Sequence, residues 1–193
     1  MLNDPAVQFD NHFLPEGGIL PFQGLRDLEV YFTTPKRYYD EIILMINKKL
    51  KTLGSQDRLH FNYIRNLELN ACADKQEHTY FIAFNQGVII GIKLLFDILL
   101  ADSHVLPSIG NSGGEEGLVL DCSSFDYTRG DLITKIDGVL CLNGEYQDGM
   151  LQRPFGPLDP KRREYAINLA SHALDFIFFH ELAHIQNGHV DYF

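Results

Sequence analysis

The segment QGVIIGIKLLFDILLA, residues 86–101, limits most strongly how this chain can fold. It is apolar on nearly all sides, with Lys93 and Asp97 as its charged residues, so we expect a helix that is buried all round. Residues 58–64 (RLHFNYI) alternate apolar and polar side chains, and residues 79–84 (TYFIAF) are rich in β-branched and aromatic ones, which predicts two strands. We therefore predict an α+β fold in which a small mixed sheet packs on helices.

The length of the chain predicts its number of domains, and local signals predict the secondary structure of its first part. A chain of 193 residues that is 45% hydrophobic is long enough for one domain spanning residues 1–193. Thr34 can cap a helix, Pro35 suits its first position and Gly54 can end it, which predicts a helix over residues 34–54. Residues 1–25 hold prolines and glycines without sustained periodicity and predict an irregular N-terminal arm.

Two further predictions concern the middle of the chain. Gly, Ser, Asp and Pro are dense from residue 106 to 131, which indicates a loop. The pair Asn143–Gly144 within residues 138–146 is typical of a β-hairpin turn.

The composition argues against some classes of function. The formal net charge is -10 and the longest basic run is KRR at 161–163, so we expect no surface for nucleic acid. The N-terminus lacks the basic and apolar regions of a signal peptide, and residues 86–101 are too short and too charged for a membrane span. Cys72, Cys122 and Cys141 form no C-x-x-C pair, which suits a reducing compartment. We expect a cytoplasmic protein without a membrane partner.

The pattern with the clearest chemical meaning lies near the end of the chain. Asp159–Pro160 predicts a helix start, and helical propensity continues to Asn187–Gly188, as one helix or two consecutive ones. His180 and His184 are four residues apart, so they project from one helix face and can share a zinc ion. Glu181 lies about 100° around the helix and can accept a proton from the water that the metal activates.

The third zinc ligand is less evident, although catalytic zinc usually has three from the protein. Gly188 can end the helix and turn the chain, so His189 can reach the metal or hydrogen-bond to one of its ligands. We take His180, His184 and His189 as the predicted metal ligands. Asp191 is a lesser candidate of the same kind.

The residues HELAHIQNGHVDYF resemble the zincin metallopeptidases. Their form H-E-x-x-H-x-x-x-G-H is similar to that of phage-exclusion peptidases of the Lit kind, with the small zincins of the ImmA/IrrE kind as near neighbours. The resemblance is limited to residues 180–193. It implies a zincin-like fold with the motif on a C-terminal helix, Zn²⁺ on His180 and His184, and Glu181 as catalytic base of an intracellular endopeptidase with a protein substrate.

The sequence departs from this family at the third ligand. In many zincins that ligand is an acidic residue on a helix well downstream, and only nine residues follow His184. Either His189 or Asp191 substitutes, or a partner chain completes the site, or the chain is a piece truncated after the motif helix. A site with two histidines binds metal more weakly.

Other parts of a peptidase site are less specified. Candidate donors to the developing oxyanion are Tyr165, Tyr192 and His189, and the substrate can align with the strand at 79–84 or the hairpin at 138–146. From another class, the chain can be a non-catalytic binding or inhibitory module that uses a zincin helix as scaffold. A metal-dependent hydrolase that acts on something other than peptides is a third hypothesis.

Overall fold

The computed structural model describes residues 4–20, 29–115 and 156–191. These residues are α+β, as predicted, with four α-helices and a three-stranded mixed sheet. They fall into two compact units, one with the described residues 4–20, 29–89 and 173–191, the other with 90–115 and 156–172. The predicted hairpin at 138–146 and most of the predicted loop at 106–131 lie outside the described residues.

The sheet of the first unit consists of β1 (Arg58–Ile64), β2 (Ala71–Gln76) and β3 (Thr79–Asn85) in the order β1-β3-β2. Strand β1 runs parallel to the central strand β3, and β2 runs antiparallel to it after a tight turn. Both predicted strands are confirmed. Strand β2 was not predicted, because its sequence ACADKQ has no large apolar side chains. Its hydrogen bonds to β3 stabilise the extended conformation that local propensity does not favour.

The N-terminal arm predicted as irregular is helical over part of its length. Helix α1 spans Pro5–Phe13, and the Asp4 side chain accepts a hydrogen bond from the Ala6 amide at its start. The prediction is therefore wrong for residues 5–16, which also include a 3-10 turn. Asp4–Pro5 is the same cap and first-position pair that correctly indicates the helix after Asp159.

Helix α2 spans Glu29–Thr52, so the predicted start at residue 34 is also wrong. Pro35 lies inside this helix rather than at its first position. A proline there removes one backbone hydrogen bond, but the turn before it buries Tyr31 and Phe32 almost completely, and that burial offsets the local cost.

The two remaining helices are α3 (Gln86–Ala101) and α4 (Pro160–Gln186). Both were predicted, and α4 is a single helix, with Asp159 capping the amides of Lys161 and Arg162. In the part of the chain that the structure describes, no helix combines the length and apolarity needed to cross a bilayer.

The second unit is organised around one fully buried cation. Arg162 is 0% exposed, and its guanidinium donates hydrogen bonds to five backbone carbonyls at the end of α3 and in the loop after it: Leu100, Asp102, Val105, Leu106 and Ile109. The carboxylate of Glu115 lies 3.8 Å from Nε of Arg162 and accepts from the amides of Leu158 and Asp159. The start of α4 is thereby joined to the loop.

Candidate functional site

The last turns of α4 are fixed to the core of the first unit by one apolar face. Leu174, Phe178 and Leu182, spaced four residues apart, are all buried. The ring of Phe178 stacks on Tyr39 of α2 at 4.2 Å between centroids and 4° between planes. The Tyr39 hydroxyl donates to Asp175 at 3.0 Å, one turn before the motif. These contacts determine which way residues 180–184 point.

The two motif histidines lie towards the other side of the helix. His180 is exposed, His184 is half-buried, and Phe176 and Phe179 are 73% and 44% exposed. Neither imidazole is fully buried, although the residues next to the motif in the sequence are uncharged. The face of α4 that packs on the core includes Phe178 but not Phe179 or His180, because the helical repeat places neighbouring residues about 100° apart.

Nevertheless the two imidazoles converge on one point. Nε2 of His180 and Nε2 of His184 are 3.1 Å apart, with their rings nearly perpendicular. Zinc–nitrogen distances of about 2.0–2.1 Å and a tetrahedral angle place two ligand nitrogens about 3.3 Å apart. The pair therefore fits two positions of a zinc site with little movement.

Glu181 faces the sheet. It is 8% exposed, and its carboxylate accepts a hydrogen bond from the amide of Ala73 on β2. Burial raises the pKa of Glu181, while the imidazoles of His184 and His180 and the Ala73 amide oppose that rise. A carboxylate whose pKa is raised is better matched to taking a proton near neutral pH than an exposed one.

A cavity of about 300 Å³ lies beside this carboxylate. Its lining comes from β2, α4 and the turn that follows α4: Ala71, Cys72, Ala73, Asp74, Glu181, His184, His189 and Val190. Burial raises the pKa of the Cys72 thiol to about 12, so this side chain is a neutral thiol at neutral pH. Strand β2 thus supplies one wall of the site, which the sequence did not indicate.

His189 and Asp191 lie in a 3-10 turn, His189–Asp191, after α4. Nδ1 of His189 is 2.8 Å from Nδ1 of His184, the ring nitrogen opposite the one that meets His180. The Asp191 carboxylate contacts the ammonium of Lys75 and accepts from the Tyr80 hydroxyl. Within residues 4–20, 29–115 and 156–191, no group of three or more His, Cys, Asp or Glu side chains could hold a metal ion.

The other predicted parts of the site are two tyrosine donors and a strand for the substrate. Tyr165 belongs to the second compact unit, and Tyr192 lies outside the described residues. Residues 79–84 form part of the central strand β3, which is paired on both sides, so the prediction that this strand receives a substrate is wrong. The strand at the sheet edge beside Glu181 is β2.

Comparison with protein-family models gives no match, and comparisons with curated proteins and with solved structures give none either.

Proposed function

We propose that the chain is a zinc-dependent endopeptidase with a zincin-like fold, in which His180 and His184 bind the metal and Glu181 is the general base. The observation that carries this proposal is the 3.1 Å approach of the two Nε2 atoms next to a buried carboxylate. The resemblance of residues 180–193 to intracellular peptidases of the Lit and ImmA/IrrE kinds supports a cytoplasmic protein substrate.

The metal position follows from the chemistry of the donors. Two neutral imidazoles on one helix face are a preferred pair of zinc ligands, and their separation fits tetrahedral coordination. When bound, zinc supplies a Lewis acid that polarises a carbonyl oxygen and makes water more acidic. In this proposal the third protein ligand comes from outside the described residues or from a partner chain.

Glu181 has the surroundings of a base. Its carboxylate lies near the Ala73 amide and lines the cavity beside β2. From there it takes a proton from the attacking water and returns it to the leaving amine. Burial raises the pKa of Glu181, which makes its carboxylate a stronger base towards the attacking water.

The substrate position is proposed from the sheet. Among the described residues β2 pairs with β3 and with no second strand. An extended peptide can add to such an edge by main-chain hydrogen bonds, and here it would run beside the cavity that Glu181 lines. A protein segment in extended conformation is therefore the substrate class that we propose.

The test combines metal content with proteolysis. We expect about one equivalent of zinc in purified protein, lost in His180→Ala and kept in Glu181→Gln. New N-termini generated in a proteome digest by the wild type, but not by Glu181→Gln, would establish the peptidase. Zinc binding without any cleavage favours a non-peptide hydrolase, and no zinc under replete conditions leaves the binding or inhibitory module.

A further inference from the structure

The turn after α4 is tied to the sheet by three side chains, which we call the Asp191 clamp: Lys75 of β2, Tyr80 of β3 and Asp191. The Tyr80 hydroxyl donates to Oδ1 of Asp191 at 3.0 Å, and the Lys75 ammonium contacts the same oxygen. Lys75 also donates to the Tyr80 oxygen at 2.9 Å and lies over its ring, 4.5 Å from the centroid. Each member thus touches the other two.

Asp191 of the clamp lies two residues after His189 in the chain. Helix α4 ends at Gln186, and Gly188 adopts φ +69, a left-handed conformation that reverses the chain. With Asp191 held on the sheet two residues later, the His189 ring lies against His184, with its Nδ1 2.8 Å from Nδ1 of His184. The contacts that form the clamp join Lys75, Tyr80 and Asp191 to one another rather than to His180 or His184.

The hydrogen bond between the two Nδ1 atoms has one direction that is compatible with metal binding. Nε2 of His184 meets His180 and needs a free lone pair to bind a metal, so its Nδ1 must carry the proton. The Nδ1 of His189 then accepts that proton's hydrogen bond, and His189 carries its own proton on Nε2. A ligand histidine commonly donates its second ring N–H in this way.

We propose that His189 is a positioning residue that fixes the tautomer and orientation of His184, and that the Asp191 clamp holds it in place. This inference rests on the proposed zinc site. It gives His189 a different role from the metal ligand that the sequence predicted. It also gives Lys75 and Tyr80, more than a hundred residues away in sequence, a part in metal affinity.

The experiment measures zinc affinity by competition with a chromophoric chelator. We expect His189→Ala and Asp191→Ala each to weaken binding about 10–100-fold, the usual effect of losing a hydrogen-bond partner behind a ligand. His189→Gln, whose amide oxygen can accept from Nδ1 of His184, should recover most of the loss. His78→Ala is the matched control, since His78 is an exposed histidine in the β2–β3 turn and should leave affinity unchanged.

A second measurement uses the metal-free protein. Long-range ¹H–¹⁵N spectra at pH 8 should show His184 as the Nδ1–H tautomer in the wild type and a shift towards Nε2–H in His189→Ala. Unchanged affinity and tautomer in His189→Ala would overturn the inference. So would complete loss of zinc that Gln does not rescue, since that identifies a direct ligand. If the wild type binds no zinc, the proposed function fails. The tautomer of His184 in the metal-free protein then still tests whether His189 orients His184.

Discussion

At the scale of single residues, adjacent positions on α4 have opposite surroundings. His180 is exposed whereas Glu181 is 8% exposed, because a 100° step separates their side chains on the helix. The same step separates exposed Phe179 from fully buried Phe178. One helix therefore presents the His180 imidazole to an open face and the Glu181 carboxylate to the sheet.

A different histidine should control the acid stability of the first unit. His60 of β1 packs edge-on against Phe9, and its buried Nε2 has no hydrogen-bond partner among the described residues. Burial lowers the pKa of His60 to about 4; the Lys36 ammonium lowers it further, and Asp40 and Asp4 oppose. The unfolded chain, with a histidine pKa of about 6.5, then binds more protons between these two values.

Stability should therefore be full above pH about 6.5 and fall as the pH drops towards 4, by about 1–3 kcal/mol from this residue. Urea unfolding between pH 8 and pH 4.5 measures it. His60→Phe, which fills the same space, should flatten the profile, whereas exposed His78→Ala should keep the wild-type slope. An equally steep profile in His60→Phe would show that other groups are responsible.

At the scale of elements, the motif helix depends on its buried face rather than on local propensity. Phe178→Ala removes the ring that stacks on Tyr39 and meets Phe61 edge-on, so we expect a loss of about 3–5 kcal/mol in unfolding free energy. Phe176→Ala, on the same helix but 73% exposed, is the matched control and should cost about 0.5 kcal/mol or less. Equal losses in both variants would contradict this assignment of faces.

The start of the same helix depends on a buried cation. Arg162→Met leaves five backbone carbonyls without their donor, two of them in buried hydrogen bonds, and we expect a loss of more than about 3 kcal/mol in chemical denaturation. Arg163→Met is the neighbouring control. Arg163 is exposed, its guanidinium donates to the Pro157 carbonyl, and its charge acts on Asp97, so the cost should be about 1 kcal/mol or less. A tolerated Arg162→Met would mean that the loop rearranges around other donors.

At the scale of the whole molecule, strong local patterns predicted the elements and weak ones did not. Residues 58–64, 86–101 and 160–186 were predictable because apolar periodicity and an Asp–Pro cap agree with the final structure. Strand β2 was not predicted, because it is extended through its pairing with β3. A six-residue polar segment gives no local signal for such a pairing. Spacing alone predicted that His180 and His184 converge. The approach of His189 to His184 was less predictable, because the turn that carries His189 contacts Lys75 and Tyr80, far away in sequence.

A metal that binds the folded chain and not the unfolded one should stabilise the molecule as a whole. Zinc at about 100 times its dissociation constant contributes about 2.7 kcal/mol, which for a chain of this size raises Tm by roughly 5–10 °C. Differential scanning calorimetry with zinc or with a chelator measures this shift. It should vanish in His184→Ala, which removes one converging nitrogen, and persist in Glu181→Gln, which keeps both. Glu181→Gln abolishes the proposed base and keeps both imidazoles, so a shift lost in both variants would make Glu181 itself part of the metal site. A shift that persists in His184→Ala would place the metal elsewhere, and a wild type without any shift would argue against a zinc site.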